Sequence, residues 1–316
     1  MWPEEDHTGP LGLAVSGGPD SLALLLLAHV AFPDRCAVAS VDHGLRPEAA
    51  GEVAMVERVC ASLDVPFTAL KVAVPRGNLQ AGAREARYRA LAEWAQSEGL
   101  GAVATAHHAE DQAETLMMRL ARGSGLSGLA GVRAATTMPG CDIALVRPLL
   151  SFRRAELEAL VAASGIEPVR DPSNTDESFD RVRMRGHLAG LDWLDAEPLA
   201  RSAQHLAEAW RAIEWYAQID WEEMVFEDAD GDGSRCYRYY ANVPRAIQVE
   251  TVRRIVASLG GEVSRSEAGR AADRLWRGEN ASLGGVLAKA GIERMERLGL
   301  EMRVWRFRAE PPRTRH

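Results

Sequence analysis

Short apolar runs alternate along the first 165 residues with longer segments in which apolar residues recur every three or four positions. Runs of that length indicate buried strands, and the longer period indicates helices. Strands are predicted over 11–15, 36–41, 67–72, 102–106 and 143–146, and helices over about 21–27, 48–63, 78–99, 110–122 and 153–165. The alternation predicts an α/β fold, a doubly wound parallel sheet with helices on both faces.

The alternation stops after Pro172. A long helical pattern runs from about Pro198 to Val225, and its apolar residues step by four and three, as in a helix that buries one face. The later elements are predicted as an acidic loop at 227–234, an extended stretch at 236–243, helices at 244–258 and 266–276, and closing strands through 304–307. We therefore predict two domains, a catalytic one over 1–192 and a smaller, mainly helical one over 193–316.

Polar side chains follow the predicted strands at their carboxyl ends. They are Ser16, Asp42 and His43, His107 and His108, and Arg147. Ligands of open α/β sheets bind beyond the carboxyl ends of the strands, so we expect a site at this edge. Of the two adjacent histidines, only one ring is expected to face the site.

The turn after the first strand has the sequence Ser-Gly-Gly-Pro-Asp-Ser, from Ser16 to Ser21, and leads into a helix. Two glycines allow a ligand to approach the backbone closely, and the helix N-terminus favours an anion. The turn therefore predicts a phosphate site. Because the carboxylate of Asp20 would repel phosphate unless a divalent cation lay between them, we expect Asp20 to bind Mg²⁺ in an ATP site.

This loop resembles the pyrophosphate loop of the N-type ATP pyrophosphatases. Later motifs narrow the resemblance to the tRNA(Ile)-lysidine synthetase family, and they occupy 41–46, 83–88, 104–115, 122–126, 171–174 and 180–185. One departure is Val182, where that family usually has Asn. The resemblance implies that lysine is ligated to the wobble cytidine of a tRNA(Ile) with a CAU anticodon, through an adenylated tRNA, in the cytoplasm. It implies ATP and Mg²⁺ as cofactors and tRNA(Ile) and L-lysine as partners.

The resemblance also implies roles for individual residues. The predicted nucleotide contacts are Ser16, Gly17, Gly18, Pro19, Asp20, Ser21, Asp42, His43, His107, Arg122 and Gly123. The predicted catalytic residues are Asp20, Arg84, Arg87, Asp111 and Glu114, with Asp20 and Asp111 as metal ligands.

Each of these roles has a structural alternative. Asp111 and Glu114, three positions apart at a helix start, could bind metal, accept the lysine proton, or only compensate the helix N-terminus. Arg84 and Arg87 could be a plain surface pair. The arginines at 181, 183 and 185 could grip tRNA or lie in a solvated strand or loop.

The charge is distributed unevenly along the 316 residues. The net charge is −8, but residues 1–244 carry −14 and residues 245–316 carry +6. All basic residues except Lys71 and Lys289 are arginines, which suit phosphate contacts and stacking on bases. The excess of arginine is compatible with an RNA partner, and a GC-rich genome would produce it as well.

Three other functions compete with the ligase. A tRNA sulfur-transfer enzyme needs catalytic cysteines, whereas Cys36, Cys60, Cys141 and Cys236 form no paired motif. An ammonia-dependent synthetase commonly carries a glutaminase domain, for which no motif is visible. A non-catalytic nucleotide-binding protein would keep the loop but lose the metal carboxylates.

Other segments change the interpretation little. The acidic turn at 228–233 resembles a calcium loop, but Tyr239 stands where the final Glu is required, so we interpret it as a solvated turn. No run approaches the roughly 18 apolar residues of a membrane span. The oligomeric state stays open.

Overall fold

The computed structural model describes residues 9–44, 49–73, 79–169, 180–229 and 233–310. The chain divides into two compact units, Met1–Ala207 and Glu208–His316. The domain boundary at residue 192, expected from the sequence, stays a prediction. Within the described ranges, no helix is both long and apolar enough to cross a membrane.

The first unit is built on a six-stranded sheet with the order β3-β2-β1-β4-β6-β5. Its strands are β1 Leu11–Ala14, β2 Cys36–Asp42, β3 Phe67–Lys71, β4 Ala102–Ala104, β5 Ala135–Thr137 and β6 Ala144–Val146. All neighbouring strands are parallel except β5, which is antiparallel to β6. Apolar runs suit such strands because both faces of a parallel sheet are covered.

The helices of the first unit are α1 Pro19–Ala31, α2 Ala49–Ser62, α3 Leu79–Ser97, α4 Ala109–Ala121, α5 Leu126–Leu129, α6 Arg154–Ser164 and α7 Asp180–Ala189, and α8 Ala196–Met224 runs from the first unit into the second. The faces of the sheet are covered by α1, α2, α3 and α6. One core joins the sheet to α1, α2 and α6, and a second core on the other face is centred on α3. The doubly wound architecture predicted from the sequence is therefore confirmed.

Helices α5 and α7 and strand β5 are the described elements of the first unit that the sequence did not predict. The arginines of α7 were interpreted as a strand or loop, or as a tRNA grip; they lie on a helix that has no fully buried residue. All three residues of β5 are exposed, so no apolar alternation marks it.

The second unit contains a five-stranded antiparallel sheet with the order β7-β8-β11-β10-β9. Its elements are β7 Val225–Ala229, β8 Arg235–Tyr240, α9 Arg245–Ser258, α10 Arg265–Trp276, β9 Ala281–Leu283, β10 Val286–Met295 and β11 Leu300–Ala309. One core joins α9 and α10 to the inner sheet face, which carries Tyr239, Trp305 and Phe307.

The description of this unit as mainly helical understates its sheet. Its helices match the predicted ranges within a few residues. Its strands form a complete five-stranded sheet, whereas the sequence predicted only extended segments at 236–243 and 304–307. The predicted acidic loop at 227–234 begins inside strand β7, and residues 230–232 lie outside the described ranges. The sheet was underestimated because, along its strands, arginines on the outer face alternate with buried aromatic residues. This alternation weakens the apolar signal in the sequence.

Candidate active site

The polar strand ends converge on the carboxyl edge of the parallel sheet, as predicted. Ser16 follows β1, Asp42 ends β2, His107 follows β4 and Arg147 follows β6. These strands are neighbours in the sheet, since β2, β1, β4 and β6 lie side by side. The edge thus brings a phosphate loop, two histidines and a buried arginine to one place.

The loop between β1 and α1 is held in shape by its own serine side chains and by the backbone of Val169. The Ser21 hydroxyl donates to the carbonyl oxygen of Gly18 at 2.9 Å and accepts from the backbone N–H of Ser16 at 3.2 Å. The Val169 N–H donates to the carbonyl oxygen of Gly17 at 2.9 Å. Gly17 has φ +87°, a conformation that suits only glycine.

Helix α1 begins directly after this loop, with Gly18 as its N-cap and Pro19 in its first turn. The first N–H groups of a helix have no partner within the helix, and its dipole places positive charge there. The loop and the helix N-terminus together form an anion site, which supports the predicted phosphate contacts of Ser16, Gly17 and Gly18.

Two carboxylates meet at the tip of this loop. The Asp20 and Asp111 carboxylates each place an oxygen 3.6 Å from Nε2 of His108, whose side chain is only 2% exposed. Oδ1 of Asp20 is buried without a hydrogen-bond partner in the structure. An unpartnered buried carboxylate oxygen beside a second carboxylate fits Mg²⁺, which prefers oxygen ligands.

The described residues offer few side-chain ligands to such a metal ion. Within the described ranges, no group of three or more His, Cys, Asp or Glu side chains is arranged to hold a metal ion. Two carboxylates leave the remaining ligand positions to phosphate oxygens and water, which is the usual mode for Mg²⁺ in phosphate-transferring sites.

Asp111 and Glu114 lie on α4 and are bound by arginines of α7. Arg181 contacts Asp111 Oδ1 at 2.8 Å and Glu114 Oε2 at 2.6 Å, while Arg185 contacts Glu114 Oε1 at 2.7 Å. The Glu114 side chain is 1% exposed. Asp111 also accepts the backbone N–H of His108 at 3.0 Å, so it caps the helix as well as facing the site.

The two adjacent histidines have opposite electrostatic environments. Burial lowers the pKa of His107 to about 4, and its Nδ1 lies 3.0 Å from the Thr105 hydroxyl. Burial disfavours the charged form of His108 too, but its contacts with Asp20 and Glu110 raise its pKa to about 9. Burial thus disfavours the charged form of His107, whereas neighbouring carboxylates favour that of His108.

Nε2 of His108 faces Asp20 and Asp111, whereas Nδ1 of His107 meets the Thr105 hydroxyl, so the expectation that one ring faces the site stays a prediction. Asp111, Arg147, Arg181 and Arg87 all shift the pKa of His107, whereas His108 lies against Asp20 and Asp111. Burial raises the pKa of Asp111, but His108 and Arg181 outweigh it and lower that pKa overall.

A cationic cluster lies beside these groups. The Arg84 guanidinium stands 5.0 Å above the Tyr88 ring, and Arg147 is 8% exposed and donates to the carbonyl oxygen of Arg133 at 2.6 Å. Arg87 is half-buried, and burial lowers its pKa. Burial lowers the pKa of His43, and the nearby charge of Arg87 lowers it further. The charge of Arg84 lowers the pKa of Arg87 as well, so these electrostatic effects indicate that Arg84, Arg87 and His43 lie near one another.

Other predicted nucleotide contacts lie elsewhere or have local roles. Asp42 accepts the backbone N–H of Gly44 at 2.8 Å. Arg122 and Gly123 follow α4 at its C-terminal end, and Arg122 pairs with Asp180 at 3.3 Å. Asp111 lies in the first turn of the same helix, about 16 Å away along its axis. The structure therefore does not bring Arg122 to the Asp20 and Asp111 carboxylates.

Some residues of the site had no specific role in the sequence analysis. His108 and Arg147 were expected at this edge as strand-end residues, and Glu110 lay within the motif at 104–115, but nothing in the sequence marked Arg154. His108 and Arg154 contact Asp20, Glu110 contacts His108, and Arg147 lies beside Tyr88. The motif at 171–174 lies outside the described residues.

Comparison with known proteins agrees with this geometry. Residues 3–190 match the family model of the PP-loop domain. The chain is 44% identical to the tRNA(Ile)-lysidine synthase of Novosphingobium aromaticivorans, over 98% of this chain and 92% of that protein. It is 37% identical to the tRNA(Ile)-lysidine synthase of Zymomonas mobilis, over 98% of this chain and 91% of that one.

A solved structure shares the fold. The U34-tRNA thiolase NcsA of Methanococcus maripaludis superposes with a TM-score of 0.54 at 16% identity, covering 64% of this chain and 72% of the thiolase. At such identity the likeness extends to the fold alone.

Proposed function

The chain belongs to the tRNA(Ile)-lysidine synthase family, and we propose that it catalyses the reaction named for its relatives. The ε-amine of lysine would be joined to C2 of the wobble cytidine in a tRNA(Ile) with a CAU anticodon. The modified base, lysidine, makes the anticodon read AUA instead of AUG. The enzyme is then an ATP-dependent carbon–nitrogen ligase that forms AMP and pyrophosphate.

The first step transfers AMP to the tRNA. The oxygen on C2 of the cytosine attacks the α-phosphorus of ATP, and pyrophosphate leaves. The amides of Gly17 and Gly18 and the hydroxyl of Ser16 hold the pyrophosphate at the helix N-terminus. Asp20 and Asp111 are the residues that would hold Mg²⁺, which offsets the charge on the phosphates when bound.

The cationic cluster has a role in the same step. Arg87 and Arg84 would contact the cytosine or the phosphate that is transferred to it. One guanidinium group can donate two parallel hydrogen bonds to two oxygens of the same phosphate. His43 has a buried Nδ1 without a hydrogen-bond partner in the structure. A nucleotide base with a donor or acceptor on its edge would satisfy that nitrogen.

The second step needs a neutral amine. The ε-ammonium of free lysine has a pKa of about 10.4, so a protein group must accept its proton before it displaces AMP. We assign this role to the Asp111 and Glu114 pair, which shares Arg181. A cavity of about 180 Å³ lies beside Glu114, with apolar walls that include Leu188 and with Arg185 at its edge. These groups suit the aliphatic chain, ammonium and carboxylate of lysine.

The convergence of Asp20 and Asp111 on one imidazole at the tip of the phosphate loop carries the proposal. A non-catalytic nucleotide-binding protein needs no such pair. A sulfur-transfer enzyme needs a reactive cysteine at the site, whereas Cys36 and Cys60 are buried in the core and burial raises the pKa of both thiols. Cys141 belongs to the second core of the sheet, and Cys236 lies in the second unit.

The second unit is proposed as a tRNA-binding domain. Discrimination between CAU-anticodon tRNAs must come from outside the anticodon, and residues 245–316 carry the positive charge. The cytoplasm is the expected location, since ATP, lysine and tRNA meet there.

Trapping the intermediate tests the proposal. The protein is incubated with Mg²⁺, ATP labelled at the α-phosphate and a CAU-anticodon tRNA(Ile) transcript, without lysine. Label should accumulate on the tRNA and leave as AMP when lysine is added. Absence of label on the tRNA, in a preparation that binds ATP, would contradict the proposed first step.

A further inference from the structure

The first turns of three helices are tied together by a closed ring of polar contacts around the proposed metal site. The ring runs from Asp20 in α1 to His108 at the N-cap of α4, then to Glu110 in α4, to Arg154 in α6, and back to Asp20. The ring links the starts of these three helices directly, in addition to the indirect links through the strands of the sheet.

Each link has defined atoms. His108 Nδ1 lies 2.8 Å from Glu110 Oε2, and the Arg154 backbone N–H donates to the same carboxylate oxygen at 3.0 Å. The Arg154 guanidinium approaches Asp20 Oδ2 at 3.8 Å. The backbone supports the ring, because the Ala109 N–H donates to the carbonyl oxygen of Phe152 at 2.9 Å.

His108 is central to this ring because its two nitrogens face different partners. Nδ1 faces Glu110, whereas Nε2 stands at the same distance, 3.6 Å, from the Asp20 and Asp111 carboxylates. The two aspartates belong to different helices and would repel each other without a group between them. The imidazole is fully enclosed and cannot swing away, so it fixes where both carboxylates stand.

We propose that His108 is a positioning residue that holds Asp20 and Asp111 at the spacing at which one Mg²⁺ ion can bind both. Glu110 fixes the orientation of the imidazole, in the way that carboxylates orient histidines next to metals. This inference rests on the proposed function only in taking the two aspartates as metal ligands. Glu110 and Arg154 act through His108 and Asp20.

The two nitrogens can be tested separately by substitution. In His108→Gln the amide nitrogen occupies the place of Nε2, and in His108→Asn it occupies the place of Nδ1. His108→Leu removes both contacts, and His205→Gln on the exposed face of α8 is the matched control. The measurement is Mn²⁺ binding to the protein with ATP, followed by electron paramagnetic resonance, which needs neither tRNA nor lysine.

We expect His108→Leu and His108→Asn to bind Mn²⁺ about 10- to 100-fold more weakly, as other orienting groups do when removed. His108→Gln should stay within a few-fold of wild type, and His205→Gln should not change. AMP transfer to tRNA should recover in the weak variants at high Mg²⁺, which a misfolded site would not allow. Equal Mn²⁺ affinity in all variants, or equal loss in His108→Gln and His108→Leu, would overturn the inference.

Glu110→Gln provides a second test that leaves the buried imidazole in place. It should weaken Mn²⁺ binding several-fold, and unchanged binding in this variant would also contradict the ring. If the variants show this order of Mn²⁺ affinities but the wild-type protein forms no lysidine, the proposed function fails while the role of His108 stands.

Discussion

Asp20 and Asp111 share a proposed metal but differ in what else they bind. Asp20 has a buried oxygen without a hydrogen-bond partner, whereas Asp111 accepts the His108 N–H and pairs with Arg181. Asp20 therefore keeps one oxygen open to a ligand, while its other oxygen contacts His108 and Arg154. Asp111 faces the proposed metal and also stabilises the start of α4.

This difference predicts separate effects of two substitutions. Asp20→Asn should abolish AMP transfer and cost less unfolding free energy than Asp111→Asn, because the charged contacts of Asp20 with His108 and Arg154 are long, at 3.6 and 3.8 Å. Asp111→Asn should abolish transfer and also cost about 1–2 kcal/mol, since it weakens a cap and a charged pair. Urea unfolding and the transfer assay measure both. Equal destabilisation by the two changes would contradict the distinction.

A buried carboxylate in the second unit makes stability depend on pH. Asp220 is 3% exposed and accepts the Thr251 hydroxyl at 2.7 Å, and burial raises its pKa. A carboxyl whose pKa is higher in the folded state stabilises the fold while protonated. That contribution is present below the ordinary pKa of about 3.9 and is lost as pH rises through the raised value.

Asp220→Asn should remove this part of the pH dependence. The variant should match or exceed wild-type stability at pH 8 and lose the advantage toward pH 4, in urea unfolding at both pH values. Asp273→Asn is the control with the opposite sign, because the Arg245 hydrogen bond lowers the pKa of Asp273. An unchanged pH slope in Asp220→Asn would show that this carboxyl does not set it.

At the scale of elements, the phosphate loop depends on two glycines for different reasons. A Cβ at Gly17 would lie 3.0 Å from Met55 Cε in a backbone with φ +87°. A Cβ at Gly18 would meet only Ser16 Oγ, at 3.9 Å, and φ there is −71°. Gly17 is thus required by the fold, whereas Gly18 is free for a ligand to approach.

Alanine at each position should separate stability from nucleotide binding. Gly17→Ala should lose about 1–2 kcal/mol of unfolding free energy, the cost of left-handed backbone, and ATP affinity with it. Gly18→Ala should unfold as wild type does but bind ATP at least tenfold more weakly, because its methyl group occupies the space of the phosphates. Calorimetric ATP titration beside thermal unfolding measures this, and undiminished ATP binding by Gly18→Ala would place the phosphates elsewhere.

Elements with strong local signals were predictable from the sequence, and those defined by distant partners were not. The parallel strands are short apolar runs, and the loop after β1 has a recognisable order of residue types. Helix α7 is polar, and its arginines bind carboxylates 67 to 71 positions earlier in the chain. Sequence shows that such arginines exist but not which carboxylates they meet.

The same limit applies to the site. The carboxyl edge of the sheet could be predicted because the strand ends follow from the alternation. The ring through His108 could not, since Arg154 lies far along the chain and is brought to Asp20 only by packing of α1 against α6.

At the scale of the whole molecule, the second unit presents basic side chains on the outer face of its sheet. Lys289, Arg306 and Arg238 stand in register on three neighbouring strands. Lys289 and Arg306 are exposed, although Arg306 also pairs with Glu293 at 2.7 Å. This row suits the phosphate backbone of tRNA.

Charge reversal on this row should weaken tRNA binding without changing ATP binding. Lys289→Glu combined with Arg306→Glu should lower tRNA affinity and reduce the dependence of log affinity on log salt by about one for each phosphate that is no longer neutralised. Arg35→Glu, just before β2 at the opposite end of the strand from the site, is the matched control. Filter binding across salt concentrations measures both. An identical salt dependence in the double variant and the control would exclude this face.

Attachment of lysine to tRNA(Ile) can be measured by incubating the protein with ATP, Mg²⁺, radiolabelled lysine and a CAU-anticodon tRNA(Ile) transcript, followed by nucleoside analysis. Label should enter the tRNA only when ATP is present and should be recovered at the wobble cytidine as lysidine. Unlabelled tRNA from a folded, ATP-binding preparation, or label at any other nucleoside, would contradict the proposed function.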